Sequence, residues 1–330
     1  MPYGDTLVDA EPTLILSPHQ PAEPPFRPDF LVIGHATRDL LPNTPPDAPD
    51  GGWRPGGTVL YAASTALRHG LRVGVVTSCP PDLAATLRAL LPGAHVQIVP
   101  AAQATAFENV YAGNVRQQYL RGRATSLSEA DIPPDWRSAP IVLLAPVAQE
   151  APPALAESFP QSLVAATAQG WLRTWERSQR VIPMLLGKAT IALPSLQAFF
   201  LSREDVQAPY DIPAQLMPHQ PRSVSEVEAY MENWASVTPL LVETLGYKGA
   251  RIRRNGGEPE DFPAYQVEQV DPTGAGDVFA AAFLIRLRET SDPVRAVDYA
   301  NRVAAISVEG VGVDAIPTRG QVIARFGPLK

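Results

Sequence analysis

The chain of 330 residues is 45% hydrophobic and carries a formal net charge of −7. That is enough to bury one large α/β core or two ordinary ones, and the wrong sign for a long nucleic-acid partner, which wants a basic face. A single cysteine, Cys79, excludes a disulfide framework and a cysteine-built metal site; no Lys or Arg precedes Arg27, so the basic start of a secretory signal is missing, and a reducing, cytoplasmic setting is expected.

Prolines number 36, with many at 12 to 28 and 42 to 55. Residues 1–28 read as a poorly ordered, Pro-rich N-terminal arm. Residues 29–330 read as one domain. DFLVIGHA (29–36) is a short apolar run ending in glycine, a buried strand. The second proline group separates this strand from the next element. GGTVLYAASTALRHG (56–70) suits a buried helix with Gly70 at its C-terminal end. LRVGVVTSC is the next strand, ending in Cys79 as a buried small hydrophobe. PDLAATLRALLPG is a helix with Pro81 near its start, and AHVQIVP is a strand. This strand–helix alternation argues for a parallel sheet with helices packed against it.

Residues 105–121 break the rhythm. TAFENVYAGNVRQQYLR alternates around AGN and reads as a hairpin. IVLLAP and SLVAAT are strands, far too short to span a bilayer. In SVSEVEAYMENWA, Ser223 and Glu226 are spaced as a capping box. PLLVETLG is a strand, and GARIRRNGGEP is a hairpin arm turning at Asn255–Gly256. The groups Arg251, Arg253, Arg254 and Arg116, Arg121, Arg123 are short and read as solvated strand or turn faces. Two helices, 274–289 and 293–308, close the domain, the second with Asp292 as cap and Pro293 at its first position.

The stretch DPTGAGDVFAAAF (271–283) carries the chemistry. A helix start leaves backbone N–H groups unpaired and is electropositive. Gly274, Ala275 and Gly276 leave that backbone bare, so an anion can approach closely. A phosphoryl group in flight is such an anion, and its transfer needs positioning and charge stabilisation more than covalent help. Asp277, in the first turn, is placed to accept the proton of an attacking hydroxyl; beside a helix start its pKa is not expected to be high. A plain capped glycine turn is the local alternative. A dinucleotide fingerprint is the other, but Phe279 fills its third small position, and the motif falls late in the chain.

The same stretch resembles the C-terminal signature of the PfkB, or ribokinase-like, carbohydrate kinases. GGTVLYAASTALRHG is similar to their N-terminal Gly-Gly motif, IGHATRD to their first strand and substrate Asp, VETLGYKGARI to their nucleotide strand and turn, and ANRVAAISVEGVG to the helix after the signature. The resemblance implies a ribokinase-like α/β fold: a central, mostly parallel sheet flanked by helices, with a small β-lid from 40–55 and 105–121. It implies Asp277 as catalytic base beside an anion hole of Gly274, Ala275 and Gly276. Thr244, Gly246 and Gly249 would lie along ATP, Asn301 near its adenosine end, and Asp271 and Thr273 near the phosphates and a monovalent cation such as K⁺. Asp39, Gly56, Gly57 and Tyr61 would bind the acceptor.

Three departures from the family pattern stand out. Thr37 replaces an Asn before Asp39, Tyr61 replaces the Asn of the Gly-Gly motif, and Ser202–Asp205 replaces the Asn-x-x-Glu that orders Mg²⁺. Glu204 and Asp205 would reach Mg²⁺ through water, since that ion keeps several waters. The five histidines show no pair at metal-ligand spacing, and His35, nearest the site, reads as structural. The expected activity is ATP-dependent phosphorylation of a hydroxyl on a sugar or polyol/cyclitol, because Asp39 suits a vicinal diol. A nucleoside is the alternative, since Tyr61 can stack on a base; a catalytically silent ligand-binding relative is the second. A homodimer is left open.

Overall fold

The computed structural model describes residues 25–41, 52–112, 115–184, 187–206 and 223–329. The N-terminal arm up to residue 24, and residues 42–51 of the first lid segment, lie outside the described residues.

The elements follow the hydrophobic pattern. β1 (Phe30–Ile33) is wholly buried, and β2 (Thr37–Leu40), β3 (Trp53–Gly56) and α1 (Thr58–Arg68) come next. β4 (Val73–Cys79), α2 (Pro81–Leu90) and β5 (His95–Pro100) complete the first alternation. β6 (Thr105–Ala112) and β7 (Val115–Gly122) form the expected hairpin. β8 (Ile141–Leu144), β9 (Leu163–Thr167), β10 (Arg173–Trp175), β11 (Val181–Pro183) and β12 (Ala198–Ser202) precede the single-turn α3 (Arg203–Val206). α4 (Val224–Ala235), β13 (Leu240–Thr244), β14 (Ala250–Arg254) and β15 (Glu260–Phe262) lead to three closing helices, α5 (Ala275–Thr290), α6 (Pro293–Ser307) and α7 (Arg319–Phe326). The capping signals act as expected. Ser223 and Glu226 form their reciprocal box, and the Asp292 carboxylate accepts from the backbone of Val294 and Arg295.

The main sheet has nine strands in the order β15-β14-β13-β12-β9-β8-β1-β4-β5. Its seven strands from β13 to β5 are parallel; β14 and β15 join antiparallel at one edge. Side chains alternate across it, as strand geometry requires. Phe30 and Val32 enter the core under α1, α5 and α6, while Leu31 and Ile33 enter the opposite core with Trp234 of α4. Helix α5 is buried at every position from Val278 to Ile285, which explains its run of Ala and Phe.

A second sheet, β3-β2-β6-β7, stands apart from the first. β2 pairs antiparallel with β3 and parallel with β6, so Asp39 lies in a strand, opposite Arg54, and not in a turn. His35 pins the root of this sheet. Its ring bonds the Thr105 hydroxyl at 2.7 Å and the Thr125 carbonyl at 2.8 Å, and its backbone N–H donates to buried Glu150 at 2.8 Å. Loss of hydration lowers its pKa, so the neutral ring is a structural link, as the sequence suggests.

The arginines of β14 correct the reading of a solvated face. Arg253 is 3% exposed and pairs with Glu228 of α4. Arg203 also reaches Glu228 at 2.5 Å and Glu243 at 3.0 Å, and Arg251 reaches Asp261 at 2.5 Å. Only Arg254 of this group is exposed. A buried guanidinium persists when carboxylates accept its N–H groups, and those partners come from other elements.

Candidate active site

The strand ends and helix starts of a parallel sheet converge at its carboxyl edge, where ligands bind in such folds. Here they line two clefts that share Pro272, Ala275 and Gly276, the start of α5.

Gly274 makes this junction possible. It caps α5 in the left-handed region, with φ of 76°, which glycine reaches without strain. The Tyr61 ring packs where a side chain at Gly274 would stand. Gly276 differs: a methyl group there would meet nothing within 4 Å, because that face of the backbone is open.

The first cleft, of 950 Å³, contains Thr244, Gly246 and Gly249 on one side and Asn301, Ala304 and Val308 of α6 with its following turn on the other. Gly246 and Gly249 both have positive φ, 58° and 105°, and the turn between them is a short 3-10 helix. Asn301 is 6% exposed, and its amide donates to the Pro263 carbonyl at 3.2 Å, tying α6 to the segment after β15. Its part in the cleft wall therefore includes a structural contact.

The second cleft, of 780 Å³, contains Asp39, Gly57, Tyr61, Asp271, Thr273, Gly274 and Asp277, together with Phe107, Asn109 and Gln118 of the small sheet. The acidic and aromatic residues expected from distant motifs are thus brought together. Gly56 is buried beside them, and a methyl group on it would collide with the Asp39 carboxylate. Asp271 accepts from the Thr273 backbone at 2.9 Å and so shapes the turn before Gly274. Tyr61 is 6% exposed. Burial, followed by the charges of Asp277, Asp39 and Asp271, pushes its phenol up, so it is a neutral hydrogen-bonding group.

Asp277 corrects the expectation of an ordinary carboxylate. Loss of hydration pushes its pKa up to about 6; the Thr58 hydroxyl and Arg173 work the other way, while Asp205 and Asp39 reinforce the rise. Desolvation and like charges here outweigh the helix start. A carboxyl near neutrality is a stronger proton acceptor than one in water.

Asp205 is partly spent. Its Oδ2 accepts from both the backbone and the hydroxyl of Ser202, each at 2.9 Å. Glu204 lies on α3, and its side chain is outside the described residues. Among the described residues no three His, Cys, Asp or Glu side chains gather into a metal cage. That donor set does not suit a protein-held magnesium ion, though it leaves room for water-mediated contact.

Sequence reasoning missed Arg173, which lines the second cleft from β10, and Thr58, the first residue of α1. The signal for Thr58 was its place directly after Gly57 at a helix start. For Arg173 the signal was weaker: a lone cation just past a buried strand end.

The comparisons agree with this geometry. The model of the pfkB family of carbohydrate kinases matches residues 27–319, and the chain belongs to that family. It is 27% identical to a cytidine kinase of Thermococcus kodakarensis over 78% of this chain and 87% of that one. It is 42% identical to the ribokinase of Bacillus subtilis over 25% of this chain, a match spanning only 28% of that protein. Among solved structures it resembles a pyrophosphate-dependent kinase of the ribokinase family complexed with a pyrophosphate analog and myo-inositol. The TM-score is 0.68 at 20% identity, covering 90% of this chain and all of the other. Arabidopsis thaliana ribokinase complexed with ribose and ATP gives a TM-score of 0.68 at 18% identity, covering 91% and 98%. The ribokinase-like fold is thereby shown. Among the described residues no helix is long and apolar enough to cross a membrane.

Proposed function

We propose that this chain transfers the γ-phosphoryl group of ATP to a hydroxyl of an uncharged polyhydroxylated acceptor, a sugar or polyol/cyclitol. The observation that carries this reading is the placement of Ala275 and Gly276 in both clefts, with Asp277 on one side only. The nucleotide occupies the first cleft. Its apolar wall of Leu245, Phe279, Ala304 and Val308 suits an adenine ring, and 950 Å³ is more than pyrophosphate needs. The amides at 274–276 hold the transferring phosphoryl group, that of Ala275 turning from the Pro272 carbonyl to which it donates at 3.1 Å. The acceptor oxygen attacks the γ-phosphorus, its proton passes to Asp277, and ADP leaves.

The acceptor cleft carries Asp39, Asp271, Asp277 and Asp314 against Arg54 and Arg173. That excess of negative charge disfavours a sugar phosphate or sugar acid. Asp39, on strand β2, is the partner for a vicinal diol. The small sheet covers the acceptor as a lid and keeps water from the phosphoryl group. Magnesium would come with the nucleotide and offset the phosphate charge, with Glu204 and Asp205 reaching it through water, and Asp271 and Thr273 would hold a monovalent cation.

A nucleoside is the second reading, favoured by the similarity to a cytidine kinase over 78% of this chain. Tyr61 supports it less than the sequence suggests, because its ring is covered by Gly274. The test is release of ADP or phosphate over a panel of sugars, polyols, cyclitols and nucleosides, with ATP and with pyrophosphate as donor. Turnover of a sugar, polyol or cyclitol with ATP supports the first reading and turnover of nucleosides alone the second; turnover with pyrophosphate only, or only of anionic acceptors, contradicts both.

A further inference from the structure

We propose that Arg173 is a positioning residue of the phosphoryl-transfer site, holding the Asp277 carboxylate as its charged partner and tying it to the small sheet. The inference rests on the kinase reading above. It begins from a two-stranded ribbon, β10–β11, in which Arg173 stands opposite Pro183 and Trp175 opposite Val181. The ribbon joins the small sheet and not the large one. The Leu120 backbone of β7 donates to the Gln179 carbonyl at 2.9 Å, and the Arg121 guanidinium donates to the Gln179 side chain at 2.9 Å. Tyr119 and Arg180 form an isolated antiparallel bridge. Trp175 and Val181 pack on the apolar cluster of Phe107, Leu120, Val147 and Ala148, which belongs to the lid and the loop after β8.

From this ribbon Arg173 extends over the Phe107 ring, 5.7 Å from its centre, and lines the acceptor cleft with Asp277. Its backbone carbonyl accepts from the Gln149 amide, which fixes the base of the side chain. The charges around Asp277 come from several elements. Asp39 on β2 and Asp205 on α3 hold its proton on, while Thr58 on α1 and Arg173 on β10 draw it off. Asp271, Arg54, Asp314 and neutral Tyr61 line the same cleft. A guanidinium stays charged at every working pH, so its field on Asp277 is constant as long as it stays in place. Asp277 is half-buried, so that field is screened less than it would be in water. The ribbon is bonded to β7 of the small sheet on one side and, through Gln149, to the loop after β8 on the other, so Arg173 is fixed between the two.

The experiment titrates Asp277 in the free protein by carbon NMR of ¹³C-labelled aspartate, its signal assigned by its loss in Asp277→Asn. Wild type, Arg173→Gln and Arg173→Lys are compared. The expected result is a midpoint raised by about one pH unit in Arg173→Gln and largely restored in Arg173→Lys, which keeps the charge and the contact with Phe107. In turnover with the best acceptor, Arg173→Gln should lose more of its kcat at pH 6 than at pH 8, with ATP affinity unchanged. An unmoved midpoint in Arg173→Gln overturns the inference, as does a moved midpoint with kcat unaffected at both pH values. Absence of wild-type turnover on every acceptor sinks the kinase reading instead, and the titration still decides whether Arg173 acts on Asp277.

Discussion

The Tyr61 ring lies against Gly274 at the point where any side chain on that residue would have to stand. An aromatic residue of α1 thus braces the turn that opens α5, directly before Ala275 and Gly276, where the two clefts meet. The relationship predicts opposite behaviour at two neighbouring glycines. Gly274→Ala combines a collision with positive φ and should destabilise the fold by about 1–3 kcal/mol. Gly276→Ala meets no protein atom, so its melting temperature should stay near that of wild type while phosphoryl transfer falls. Thermal unfolding and turnover of the two variants check the pair.

Tyr61→Phe keeps the ring against Gly274 and removes the hydroxyl from the acceptor cleft. The expected outcome is a raised KM for the acceptor, with KM for ATP and the melting temperature close to wild type. Tyr61→Ala removes the brace as well and should cost about 3–5 kcal/mol. Equal behaviour of the two variants in unfolding experiments would remove the brace from the account.

The raised pKa of Asp277 has a consequence for stability. A carboxyl that titrates near 6 in the folded chain and near 3.8 when unfolded binds its proton more tightly when folded. Stability is therefore highest below the unfolded value and falls as pH rises from about 4 to 6. Asp277→Asn removes this loss. Its melting temperature should exceed that of wild type at pH 7.5, by an amount worth roughly 1–3 kcal/mol, and the gap should close below about pH 4. A gap that widens on acidification would contradict the assignment.

Glu228 accepts from Arg203, Arg251 and Arg253. Glu228→Ala leaves the buried Arg253 without that carboxylate and should destabilise the fold by about 3–5 kcal/mol. The loss should persist at high salt, because a buried pair is screened little. Denaturant unfolding at low and high salt measures it.

Much of this site was legible because its parts are local. The bare backbone at 274–276 and the acid after it sit in one helix start, and the Ser223–Glu226 box and the Asp292 cap on Val294 and Arg295 act within a turn. The features that the sequence concealed depend on partners far along the chain. Asp39 enters a strand because β3 and β6 pair with β2. The pKa of Asp277 is set by burial and by Asp39, Arg173 and Asp205, none of them on its own helix. Arg253 is buried because Glu228, 25 residues earlier, meets it. Charge alternation along β14 alone cannot reveal such a partner.

The central claim, that Asp277 accepts the acceptor's proton beside an anion hole built by 274–276, is tested most directly by ³¹P NMR of ATP with the best acceptor. Wild type and Asp277→Asn are followed side by side, with ATP affinity measured by calorimetry. The predicted result is conversion of the γ-phosphate signal to a phosphomonoester by wild type, and a rate lower by about 100- to 10,000-fold in Asp277→Asn with ATP bound as tightly or more tightly. Near wild-type conversion by Asp277→Asn would remove the carboxylate from the reaction; loss of ATP binding together with conversion would make Asp277 a helix cap and not a base.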